Sequence, residues 1–135
     1  MRVLITTQPG VGHLHPLLPV AAGLRERGHH AAFASSAPFA AEIVAAGFEA
    51  FAVGRDWLAV DMVRAFPEVA SKPAGPQRYA WARSAVFAGE TARESVPDLI
   101  ALSETWRPDL IVREAAEYGG CVAAELLDVP HAVVR

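Results

Sequence analysis

Apolar residues in the first third of the chain alternate between continuous runs and helix-spaced positions. Arg2-Val3-Leu4-Ile5-Thr6-Thr7 holds an unbroken apolar run bounded by Pro9-Gly10. A run of this kind, without apolar/polar alternation, is the pattern of a parallel strand covered on both faces. Leu17, Val20, Ala21 and Leu24 then recur on one helical face. Pro16 suits a first helical residue, which needs no N–H, while Arg25 and Arg27 suit the negative end of the dipole and Gly28 a helix stop. The spacing predicts a helix from Pro16 to Arg27. A second strand is expected over His30–Ala34, closed by Ser35-Ser36. A second helix runs from Pro38 through Phe39, Ile43 and Val44 to Gly47, and a third strand covers Phe48–Val53, ending at Gly54.

The pattern changes over residues 55–77. Arg55-Asp56-Trp57-Leu58 opens a short helix through Phe66, after which Pro67, Pro73, Gly75 and Pro76 speak against regular structure. An irregular loop of this length inside a compact domain is usually functional or mobile. A long helix follows from Gln77 to Thr105, with a break or kink expected at Pro97. Arg107-Pro108-Asp109 leads into a fourth strand, Leu110–Arg113. A helix over Tyr118–Leu127 and a fifth strand over His131–Val134 complete the chain. The alternation predicts an α/β fold with a Rossmann-like, doubly wound parallel sheet in the order 3-2-1-4-5.

Composition narrows the classes. The chain has 135 residues, 53% hydrophobic and 20% charged, with a formal charge of −3. That is one domain with a real core and not a disordered tail. The mild acidity speaks against a nucleic-acid binder acting through bulk positive charge. A single cysteine, Cys121, excludes a disulfide framework and a Cys-based zinc site; it fits a reducing cytoplasm and reads as a small core residue. No membrane span and no signal peptide are evident, so a cytoplasmic protein is expected.

In doubly wound sheets ligands bind at the carboxyl ends of the strands, in the crevice where the strand order reverses. Here that crevice lies between strands 1 and 4. Gly10, Gly12, His13 and His15 follow strand 1, and Glu114 follows strand 4. A histidine facing a carboxylate is the arrangement of a general base and its orienting partner. The helix dipole disfavours protonation of His13 and Glu114 favours it, a balance that leaves a base active near neutrality. A lone histidine near a helix start is, on its own, more often a cap or a solvated loop residue. His13-x-His15 lacks a third metal ligand. His29-His30 falls at the opposite end of the sheet and reads as structural or exposed, and His131 starts strand 5, away from the ligand-binding ends. Gly10-x-Gly12-x-x-His15 lacks the third glycine of a dinucleotide fingerprint, and Ser35-Ser36 stand where its ribose-binding acid belongs, which argues against a nicotinamide cofactor. What survives is a glycine turn open to a ligand and a helix start favourable to anions.

The opening, from Met1 to His29, resembles that of GT-B glycosyltransferases of the UDP-glycosyltransferase superfamily. It is most similar to the bacterial enzymes that glycosylate antibiotics and other natural products. Gly12-His13-x-x-Pro16 and the helix ending Arg27-Gly28-His29 carry the resemblance. Gly47-Phe48-Glu49, Asp56-Trp57-Leu58, Arg107 to Glu114, and Ala123 through His131 extend it. Residues 59–104 match only loosely.

The resemblance implies an inverting sugar transfer without metal or cofactor, with a nucleotide-activated sugar as co-substrate. It implies His13 as the base, partnered by Glu114 where many relatives carry an Asp one methylene shorter. Acceptor contacts would come from Trp57, Phe66, Tyr79 and Tyr118, with Trp81 and Phe87 read at least equally as core packing. Gly10 and Gly12 would lie near the donor's phosphate or sugar. Residues 1–135 would then be a truncated N-terminal, acceptor-binding domain, inactive alone. The nucleotide-sugar would be held by a C-terminal domain whose motif the chain does not contain. The partners would be a small-molecule acceptor and that sugar, with no nucleic acid. The competing expectation is a non-catalytic auxiliary or small-molecule-binding module of the same fold.

Overall fold

A computed structural model describes residues 1–135. Strands β1 (Arg2–Thr6), β2 (His30–Ser35), β3 (Glu49–Ala52), β4 (Leu110–Glu114) and β5 (His131–Val134) form one sheet in the order β3-β2-β1-β4-β5. Every pairing is parallel. Fold class and strand order are therefore those expected. β1 is central, with Val3 level with Ala31 on one side and Leu110 on the other.

Because successive strand residues point to opposite faces, the apolar run of β1 feeds two cores. Val3 and Ile5 join Phe33, Val112, Leu17, Phe39 and Ile43 on one face. Leu4 joins Ala32, Ile111, Leu99 and Trp106 on the other. Val3, Leu4 and Ile5 are wholly buried. Burial of each contributes about 1.5–3 kcal/mol, which is why β1 carries no polar residue between exposed Arg2 and Thr6.

The helical elements depart from expectation in instructive ways. The first helix starts at Val11, five residues ahead of Pro16. It comprises α1 (Val11–Leu14), a 3-10 turn (His15–Leu17) and α2 (Leu18–Glu26), with extended Gly10 as its N-cap. Pro16 and Pro19 have no N–H to return to the carbonyls of Gly12 and His15, and the turn between them tightens instead of ending the helix. His13 thus lies inside the first turn. α3 spans Ala37–Ala45, close to expectation.

Residues 59–71 form a 3-10 turn (Ala59–Asp61), α4 (Met62–Ala65) and a second 3-10 turn (Pro67–Ser71). Pro67 opens that last turn where irregular chain was expected, since a first helical residue needs no donor. The long helix runs without interruption as α5 (Pro76–Trp81), a π-helical segment (Ala82–Thr91) and α6 (Ala92–Trp106). Pro97 does not break it. Pro97 and Arg93, whose carbonyl it cannot serve, are both exposed, so the missing bond falls on the solvent side of the helix. α7 (Gly119–Leu127) precedes β5. Cys121, in α7, is half-buried and its Sγ contacts the Tyr118 carbonyl at 3.2 Å, so it is not the core residue expected. No helix is long and apolar enough to cross a membrane.

Candidate active site

β1 and β4 pair with Thr6 level with Arg113, so the chain leaves both strands at the same edge of the sheet. From β1 it passes through Gln8-Pro9-Gly10 directly into α1, which presents His13. From β4 it delivers Glu114, the last residue of the strand. His13 Nδ1 lies 3.0 Å from Glu114 Oε2, with the side chains 29% and 12% exposed. The other carboxylate oxygen, Oε1, accepts the Ala116 N–H at 2.8 Å. Oε2 receives no well-aligned hydrogen bond, so the His13 ring approaches it off the ideal donor line, and no other group competes for that oxygen. With Nδ1 turned to the carboxylate, Nε2 is the ring nitrogen left for a ligand.

The imidazole stands edge-on to Phe87 at 6.2 Å between centroids. It faces a cleft of about 300 Å³ whose walls include Met62, Val69, Arg78, Tyr79 and Phe87. The cleft is predominantly apolar, the character of a small-molecule site. Its outer wall is docked onto the glycine turn. The Ala59 N–H donates to the Pro9 carbonyl at 2.8 Å. A Cβ on Gly10 would stand 2.9 Å from that of Ala59 and 3.2 Å from His13 Cδ2, so only glycine permits this approach. A second cavity, with room for about one water molecule (about 30 Å³), lies at the carboxyl ends of β1 and β2, lined by polar groups that include Thr6, Gln8, Ser95 and Glu117.

A family model described as "Erythromycin biosynthesis protein CIII-like, N-terminal domain" matches residues 22–135. The chain belongs to this CIII-like family. It is 35% identical over 130 residues to the L-demethylnoviosyl transferase of Streptomyces niveus, covering 96% of this chain and 33% of that protein. It superposes on the SsfS6 glycosyltransferase of Streptomyces sp. SF2575, solved with thymidine diphosphate, with a TM-score of 0.78 at 25% identity. The match covers 98% of this chain and 38% of the other. Glycosyltransferase VinC, solved in complex with DTDP, gives 0.74 at 27% identity, covering 97% and 33%. The CIII-like chain thus spans about a third of the length of the curated relatives it matches.

The CIII-like chain gathers only part of the expected acceptor wall. Tyr79, 59% exposed, lines the cleft. Trp57 and Phe66 do not: they are 6% and 1% exposed and pack edge-on at 5.0 Å in a third core cluster. The reason is Arg55, which crosses the Phe66 ring at 4.7 Å and grips Glu94 through Nε at 2.8 Å and Nη2 at 2.5 Å. This bidentate pair clamps the segment to α6 and folds both aromatics beneath it. Tyr118 is half-buried beside the cleft. Its hydroxyl accepts from Arg83 at 2.8 Å and Arg113 lies over its ring at 5.3 Å. Trp81 is half-buried with Lys72 over its ring at 5.1 Å. Phe87 is both core and wall, 4% exposed yet lining the cleft. Gly12 is exposed, with open space where a Cβ would stand. At the far end of the sheet His30 is exposed and pairs with Glu49 at 2.9 Å.

Two buried polar groups behind the dyad escaped the sequence reading. The Gln8 amide donates to the Ala116 carbonyl at 3.1 Å. Glu117 accepts from Thr6 Oγ1 and the Gly120 N–H. Burial pushes the Glu117 carboxyl above its ordinary range, against the lowering pull of those bonds and of Arg113. The only signal for Glu117 in the sequence is the glycine pair that follows it.

Proposed function

We propose that the chain is the acceptor-side domain of an inverting glycosyltransferase that moves a sugar from a nucleotide-activated donor to a hydroxyl of a small natural product. One observation carries this reading: His13 paired with Glu114 at 3.0 Å at the switch point, facing an apolar cleft. His13 Nε2 takes the acceptor hydroxyl proton as the oxygen bonds to the anomeric carbon. The bond from that carbon to the nucleoside diphosphate breaks, and its electron pair leaves with the diphosphate. Attack and departure occur on opposite faces of the sugar, which inverts its configuration. Glu114 fixes the ring with Nδ1–H toward itself and stabilises the imidazolium formed. Tyr79 and Phe87 seat the acceptor, with Tyr118 at the edge of the site. Gly10 and Gly12 leave the first turn of α1 open to the donor's sugar or phosphate. The thymidine diphosphate complex of SsfS6 supports a thymidine diphosphate sugar as donor, held chiefly by a further domain. No metal is required by this scheme.

The test uses the full-length protein. His13→Ala lowers transfer by roughly 10²–10⁴-fold while circular dichroism and thermal unfolding stay unchanged. Glu114→Gln lowers it less, because the base remains. Activity retained by a folded His13→Ala variant overturns the assignment.

A further inference from the structure

Glu117 is 6% exposed, held at its carboxyl from two elements and at its main-chain carbonyl from a third. Thr6 Oγ1, at the end of β1, donates to Oε2. The Gly120 N–H, in the first turn of α7, reaches both oxygens at 3.1 and 2.9 Å. Arg113 on β4 donates to the Glu117 carbonyl at 3.0 Å. The glycine pair is shaped around this group. A Cβ on Gly119 would stand 2.1 Å from Ser95 Oγ and 2.9 Å from Glu117 Oε1, and one on Gly120 would stand 2.3 Å from Thr6 Oγ1 and 2.7 Å from Glu117 Oε2.

The same residue closes the turn that aims Glu114. Its N–H donates to the Glu114 carbonyl at 3.1 Å. Between them, the Ala116 N–H holds Glu114 Oε1 at 2.8 Å, and the Ala116 carbonyl is held by Gln8 at 3.1 Å. A helix cap alone needs only the contact to Gly120. The bond to Thr6 goes further, because it ties the turn after β4 to the strand that leads into His13.

We propose that Glu117 is a positioning residue for the His13–Glu114 pair, locking the 114–117 turn to β1 and α7 so that Glu114 Oε2 stays within reach of His13. The inference rests on the dyad reading above. It assigns a role to a carboxyl that touches neither substrate nor base.

A double-mutant cycle tests it, read by the ring 15N signals of His13 in NMR of the full-length protein labelled in its histidine rings, at one fixed, mildly alkaline pH. These signals report which ring nitrogen carries the hydrogen. Glu114→Ala removes the acceptor facing Nδ1 and moves them away from the Nδ1–H pattern. Glu117→Ala moves them the same way by at least half that amount, because Glu114 swings out of reach, and adds nothing in the Glu114→Ala background. Glu117→Gln, which keeps the shape and an acceptor for Gly120, restores most of the original signal. Should Glu117→Ala not fold, Thr6→Val takes its place with the same criteria. Signals unmoved by Glu117→Ala, or moved equally in both backgrounds, overturn the positioning role. Signals unmoved by Glu114→Ala overturn the dyad itself.

Discussion

Two acids three residues apart have opposite fates. Glu114 keeps one oxygen for His13 and the other for a backbone N–H, at the edge of a cleft. Glu117 points inward and gives up its solvent. Desolvation raises its affinity for a proton in the fold above that of the unfolded chain, where such a carboxyl titrates near 4.5. The fold therefore prefers the protonated form. That contribution is full below the unfolded value and is lost as pH rises through the raised folded value. Glu117→Gln has no proton to lose. Its urea midpoint should climb relative to the unmodified protein as pH increases above about 4.5. A difference that stays flat from pH 4 to 8 would refute the direction. His13 and Glu114 were legible in the sequence because the switch-point rule needs only strand order and the residue after each strand. Glu117 was not, because its burial depends on Thr6, 111 positions away, and on two glycines whose missing side chains make its room.

At the scale of elements, strands were legible and helix details were not. Continuous apolar runs mark buried parallel strands with little ambiguity. Helix starts depend on which residue caps them. Pro16 satisfies every rule for a first helical position, yet extended Gly10 caps the helix earlier and Pro16 is absorbed into a tightened turn. The π segment hides for another reason. Its bonds run to the fifth residue, so the repeat lengthens and adjacent Val86 and Phe87 are both buried. The lengthened repeat turns the buried face within one helix, so a single 3.6-residue phase does not follow it from end to end. The burial of Trp57 and Phe66 was not legible either, since it goes with the Arg55–Glu94 pair, formed between residues 39 positions apart. The two glycines of the first turn give a paired prediction. Gly10→Ala must push Ala59 away and should cost about 1–3 kcal/mol. Gly12→Ala enters open space within a helix and should leave stability unchanged or raise it by about 0.5–1 kcal/mol. Thermal unfolding of the two variants decides it; equal losses would refute the close-packing account of Gly10.

For the molecule as a whole, the two outer strands differ in chemistry. β3 carries Glu49, paired with exposed His30. β5 exposes Ala132 and Val133. The other molecular-scale feature is the single peptide contact between Ala59 and Pro9. It makes the outer wall of the cleft and the turn bearing His13 one mechanical body. A ligand too bulky for the cleft, pressing Met62 and Val69 outward, works as a lever on the cap of α1. Its misfit is then felt at the His13 ring, and under the proposed mechanism discrimination between ligands would be read in turnover more than in occupancy.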